Sequence, residues 1–273
     1  MVHPGLGATR NGRSDAEVQT PVWAVVSDLL LFVVIGFAAQ IVDGAIGMAY
    51  GLVSTTVLLS FGIPLTTASA SVHAAEVFTT GASALSHWRL ENVDRGLFLR
   101  LAPAGMVGGA LGAYVLTAVP GEIMRPLVSL YLAVMGGIIL RKALRGLAGP
   151  DKEPKHVATL GLCGGFVDAI GGGGWGPLVA STLVGRGTTA RLAIGSTNAA
   201  EFLVTVTISA TFVVTVGLEL WPVIAGLVLG GVIAAPLAAY ATRQIPDRPL
   251  MILVGVVIVL LSVREMARFL AAV

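Results

Sequence analysis

The sequence predicts an all-α polytopic integral membrane protein: about eight to ten membrane-embedded segments in two homologous repeats, with broken or re-entrant helices. Three observations carry that expectation. Of the 273 residues, 55% are hydrophobic and 12% charged, whereas a soluble domain carries roughly 25% charged residues to face water. The apolar residues gather into runs near the ~20 helical residues that cross a bilayer. The chain also resembles itself at an offset of about 125 residues, as Gly36–Gly51 laid over Gly161–Gly176 makes plain.

Residues 1–22 are polar, with Arg10, Arg13, Asp15 and Glu17. They lack the apolar core and small-residue cleavage site of a signal peptide, so a disordered tail is expected. The first repeat, 23–144, holds apolar segments Trp23–Val42, Ala45–Leu59, Thr67–Trp88, Gly96–Ala118 and Ile123–Leu144. A charged linker, 145–155, follows. With Arg141 and Lys142 it forms a basic cluster that argues for a cytoplasmic position. The second repeat, 156–273, holds Val157–Ile170, Gly172–Val184, Ala190–Val216, Leu220–Ala241 and Leu250–Val263. The segments opening at Ala45 and Gly172 are short, Gly-rich at their start and abut the preceding span, as halves of broken helices would. Loop charges do not decide between parallel and inverted repeats, since an odd number of crossings per half inverts the second copy and an even number does not.

The duplication is in register at two places. GFAAQIVDGAIGMAYG aligns without a gap on GLCGGFVDAIGGGGWG, and SVHAAE (Ser71–Glu76) on STNAAE (Ser196–Glu201). Asp43 thereby pairs with Asp168, Gly47 with Gly172, Gly51 with Gly176, Tyr50 with Trp175, His73 with Asn198 and Glu76 with Glu201. Acids inside apolar runs are costly, roughly 2.5–3.5 kcal/mol at the bilayer centre on insertion scales. Asp43, Glu76, Asp168 and Glu201 are therefore expected to line a watery cavity, bind an ion or carry protons.

In Thr67–Trp88, Ser69, His73, Glu76, Thr80, Ser83 and His87 recur every three or four residues and share one helix face. The second copy keeps Asn198, Glu201 and Thr205, then turns apolar. Serine and threonine in such a helix also serve as interhelical glue, worth about 0.6 kcal/mol each; the carboxylate and imidazole favour a pathway-lining face. Glycine runs at Gly44–Gly51 and Gly171–Gly176 cost roughly 1 kcal/mol per residue in a helix interior. Turns there would expose backbone N–H groups at half-helix ends, which suit an anion. A close-packing notch is the plainer alternative.

Other features narrow the classes. Net charge is +2 and offers no nucleic-acid surface. The single cysteine, Cys163, excludes an internal disulfide and is expected as a small packing residue. Trp88, flanked by His87 and Arg89, reads as an interfacial anchor. Arg186 and Arg191 read as topology signals. Neither a nucleotide loop nor a hydrolase or metalloprotease motif is present, so no enzyme and no cofactor are expected.

At these residues the chain resembles the TauE/SafE sulfite-exporter family. The likeness rests on the duplicated Gly-Asp start, on Ala68–Glu76, on the exit SHWRLENVD (Ser86–Asp94), and on MVGGALGA (Met106–Ala113), loosely repeated as Leu227–Pro236. It runs from Trp23 to the C-terminus. The second half keeps the family's glycine cluster at Gly171–Gly174, and the first departs from it with GMAYG at Gly47–Gly51. The resemblance implies a cell-membrane permease for sulfite, sulfonates or related small organosulfur anions, coupled to protons or sodium.

The reading is then an alternating-access transporter. Its substrate-binding residues are Gly47, Gly51, Ser71, Gly172, Gly176, Ser196, Thr197 and Asn198. Its ion-coupling residues are Asp43, His73, Glu76, Asp168 and Glu201, histidine being the side chain that titrates nearest neutrality. Its partners are the anion and the lipid bilayer, and a homodimer is compatible with it. A metal or other cation permease, or a non-transporting assembly protein, is the alternative.

Overall fold

The computed structural model describes residues 22–46, 50–145, 156–180, 182–183, 186, 188, 190–218, 220–241 and 247–272. These are helical, with no strand among them. The first half contains α1 (Val22–Ile46), α2 (Tyr50–Ser60), α3 (Leu65–Arg89), α4 (Arg95–Ala118) and α5 (Gly121–Arg145). The second contains α6 (Val157–Gly171), the single π-type turn α7 (Gly176–Ala180), α8 (Ala190–Thr215), α9 (Trp221–Ala241) and α10 (Asp247–Ala272). The expected tail falls almost wholly on residues 1–21, and most of the charged linker on 146–155; both lie outside the described residues.

Helix ends follow local chemistry. The Asp94 carboxylate caps α4 by accepting from Leu97 N at 2.9 Å, and Pro120 follows the extended residue Val119 that closes it. α6 ends at Gly172, whose φ of +63° is the left-handed conformation glycine adopts without strain. Gly217, at φ +75°, follows α8 in the same conformation.

Two expected spans are adjusted. The last helix continues past Val263 to Ala272 because its charged residues are held: buried Glu265 pairs with Arg125 at 3.2 Å and Arg268 at 3.0 Å. The segment expected from Gly172 to Val184 starts its helix three residues later, since Gly172–Gly174 form an open turn; the described residues 175–180 and 182–183 are helical.

α5 displays the solvent it is built for. Ile123, Leu127, Leu130 and Val134 are exposed on one face, while Met124, Val128, Leu132, Met135 and Ile139 are buried on the other. A helix apolar all round suits lipid outside and protein inside. Among the described residues, Arg95–Ala118, Gly121–Arg145 and Leu192–Thr215 are long and apolar enough to cross a membrane. Cys163, expected to pack, instead stands exposed on α6, because the glycines of that helix take the buried side.

The most extensive helix pairings join opposite halves. α1 packs on α9 and α4 on α6; α3 packs on α8 and α5 on α10. Small residues allow the close approach. A Cβ on Gly36 would lie 2.8 Å from Leu227 Cα, and one on Gly161 3.3 Å from Leu101 Cα.

Candidate functional site

α1 and α6 each end shortly after an aspartate, and the two aspartates reach forward alike. Tyr50 N donates to Asp43 Oδ1 at 3.2 Å, and Trp175 N donates to Asp168 Oδ1 at 3.0 Å. Each carboxylate reaches the amide seven residues on, one that a helix start leaves without a partner. A negative charge there also faces the positive end of the helix dipole. The half-helix ends expected to receive an outside anion thus already hold one of the chain's own.

The start of α2 meets the turn after α6. A Cβ on Gly51 would lie 2.7 Å from Gly173 Cα and 2.7 Å from Glu76 Oε1, so only glycine fits. Gly173 has φ of +146°, which side-chain-bearing residues rarely adopt. The freed carbonyls of the second turn are satisfied from the first half. Thr55 Oγ1 donates to Gly172 O at 2.5 Å, and Tyr131 Oη donates to Gly173 O at 3.2 Å. Irregular backbone inside an apolar protein persists where such partners exist.

A narrow cavity lies at this junction. Asp43, Glu76, Asp168 and Glu201 line it, with Tyr50, Gly51 and Leu52 from α2 and Gly173, Gly174, Gly176 and Pro177 from the second turn. It contains about 230 Å³ of space between atoms, and its clearance is little more than water-sized. Lys142 Nζ, on α5, donates at 3.2 Å to the carbonyl of Pro177, which brings a cation to the rim. Behind the wall, buried His73 Nε2 lies 3.4 Å from buried Asp168 Oδ2.

The candidate residues divide in an instructive way. All four acids reach the cavity, along with Gly51 and Gly176. Gly172 sits beside it on the turn, and Gly47 lies outside the described residues. Ser71 and Asn198 are buried but not in its wall. Ser196 Oγ accepts from Asp94 N at 2.8 Å, tying α8 to the start of α4. Thr197 Oγ1 donates to Ala193 O at 2.8 Å on its own helix. Along the α3 stripe, Ser69 donates to Ala169 O at 2.7 Å and Thr80 to Glu76 O at 2.6 Å. Both are interhelical or intrahelical ties. Tyr131, Lys142 and Thr55 were not singled out for the site from the sequence. A tyrosine and a lysine inside the apolar run Ile123–Leu144 were the available signal for the first two.

Comparison with known proteins gives one family and one relative. The model of the family described as Sulfite exporter TauE/SafE matches residues 32–265. A Bacillus subtilis (strain 168) protein called probable membrane transporter protein YtnM is 40% identical over 248 residues, covering 87% of this chain and 82% of the relative. No solved structure matches the chain.

Proposed function

The chain belongs to the TauE/SafE sulfite exporter family of membrane transporters, and from that premise we propose a secondary transporter that moves a small anion across the cell membrane. Sulfite, a sulfonate or a related organosulfur anion is the substrate class, in keeping with the family description. Transport is coupled to a cation, proton or sodium, and proceeds by alternating access.

The observation that carries this reading is the cavity where the start of α2 meets the turn after α6, walled by carboxylates from both halves. Four ionised carboxylates would repel an anion, so an anion enters only with compensating protons or cations. Lys142 supplies a positive charge near the rim. Water-sized clearance fits a closed state between outward and inward openings.

We read the fold as two repeats related by a pseudo-two-fold axis. The supporting features exchange when the halves are exchanged: α1 on α9 answers α4 on α6, and α3 on α8 and α5 on α10 are their own counterparts. The bond from Asp43 to Tyr50 answers that from Asp168 to Trp175. Substrate sites at such repeat interfaces are usual for secondary transporters.

A proteoliposome flux assay over sulfite, thiosulfate, small sulfonates and small carboxylates tests the proposal. Saturable flux of at least one of these anions is expected. The wall of carboxylates also favours a second reading, a cation permease. Binding of divalent cations, with no flux of any anion in the panel, would replace the first reading by the second.

A further inference from the structure

We propose that His73 and Asp168 together hold one exchangeable proton, and that this proton is the one coupled to transport. The inference rests on the transporter reading above and names its coupling ion and the atoms that carry it.

Hydrogen bonding fixes the imidazole tautomer. His73 Nδ1 lies 2.8 Å from the carbonyl oxygen of Ser69, which can only accept. Its other neighbour, Ser69 Oγ at 3.2 Å, spends its own hydrogen on Ala169 O at 2.7 Å. Nδ1 therefore carries a hydrogen and donates it. In a neutral ring Nε2 then presents a bare lone pair to Asp168 Oδ2, 3.4 Å away. The two atoms are not aligned as a hydrogen bond, and neither has another partner.

Two lone pairs, one of them on an anion, do not face each other stably in a dry site. His73 and Asp168 are 0% and 2% exposed in their side chains, so water does not separate them. One proton resolves the conflict, whether it resides on Nε2 as imidazolium or on Oδ2 as neutral acid. Asp168 Oδ1 is committed to Trp175 N, which directs the shared proton to Oδ2. Since Asp168 also lines the cavity, the proton has a way in.

Charged groups stand on most of the packed elements: α4, lying along α6, carries Arg95 and Arg100, both exposed, and α5 carries Lys142, which donates to Pro177 O at 3.2 Å. Glu76 stands one turn along α3, Glu201 on α8 and Asp43 on α1, all in the same cavity wall. Tyr50 from α2 lines it too, and Tyr131 from α5 reaches Gly173 O. α9 brings no charged residue. Acids outnumber the nearby cation, Lys142, around the pair. The equivalent place in the other half pairs Asn198 with Asp43 by the repeat, and asparagine does not titrate; the duplicated fold therefore holds one such pair. Because α3 and α6 belong to opposite halves, motion of one half on the other separates the two atoms and releases the proton.

Two measurements decide it. The first needs no solute: ¹⁵N spectra of His73 in the purified protein, assigned by difference from His73→Gln. Hydrogen is expected on Nδ1 throughout the pH range, with Nε2 alone changing with pH, either protonated or accepting the Asp168 proton at low pH and bare at high pH. Hydrogen on Nε2 beside a bare Nδ1 overturns the proposal. The second uses proteoliposomes at zero membrane potential, where a gradient of about one pH unit drives roughly ten-fold accumulation per coupled proton. The ratio of gradient-driven accumulation to solute exchange is expected to collapse about ten-fold in His73→Gln and Asp168→Asn. An unchanged ratio overturns the proposal while leaving the transporter reading intact. Absence of any flux in wild type overturns the transporter reading, and the spectra still decide the proton pair.

Discussion

Gly51 in the first half and Gly173 in the second pack backbone against backbone, and a Cβ on Gly51 would lie 2.7 Å from Gly173 Cα. The start of α2 and the turn after α6 therefore touch across the two halves, beside all four acids of the cavity. What the repeat duplicates in sequence, the fold brings face to face.

Gly51→Ala is expected to destabilise the protein by about 1–3 kcal/mol, the usual cost of forcing a carbon into filled space. Gly137, which has open space around it in α5, provides the control. Gly137→Ala should be neutral or stabilising by up to about 1 kcal/mol. Thermal unfolding in detergent compares the two.

The aspartate bridges can be separated from the charges they carry. Asn at position 43 or 168 keeps an oxygen for the amide of Tyr50 or Trp175; Ala does not. Each Asp→Ala variant should be less stable than its Asp→Asn counterpart by about 0.5–2 kcal/mol, the range for losing a helix cap. Equal stability of the Ala and Asn forms would remove the capping role.

Much of this fold is legible in the sequence, and the reasons are physical. Apolar runs located the long helices because lipid demands continuous apolar surface, as in Arg95–Ala118 and Gly121–Arg145. Acids stood out at Asp43, Glu76, Asp168 and Glu201 because an apolar surrounding makes them costly. The repeat told which residues are equivalent and not which residues touch. The contact between His73 and Asp168 joins positions that are not each other's counterparts, so no alignment of the halves reveals it. Ser196 and Thr197 show a related point. Hydroxyls in apolar helices serve backbone partners as readily as solutes, and these two bond Asp94 and Ala193.

Tyr50 Oη donates to Leu227 O at 3.0 Å and joins α2 to α9 within a buried site. Tyr50→Phe should cost about 1 kcal/mol, the net worth of a typical hydrogen bond. Denaturant or thermal unfolding of the variant measures it.

Glu265 is held by Arg125 from α5 and by Arg268 from its own helix. The acid is buried but both guanidinium groups are about half exposed, with side-chain exposures of 42% and 52%. Solvent screening keeps the worth of each pair near 0–1 kcal/mol. A double-mutant cycle with Arg125→Met and Glu265→Gln should give a coupling in that range, and it should weaken in high salt.

The central claim is that the carboxylate-lined junction between the halves is the coupled solute pathway. Its most direct test is the rate of anion flux in proteoliposomes carrying Glu76→Gln together with Glu201→Gln, measured across pH beside wild type. The account predicts that the double variant is folded and slower by about ten-fold or more at every pH, while the pH dependence set by His73 and Asp168 remains. A double variant that transports at the wild-type rate throughout the pH range would contradict it.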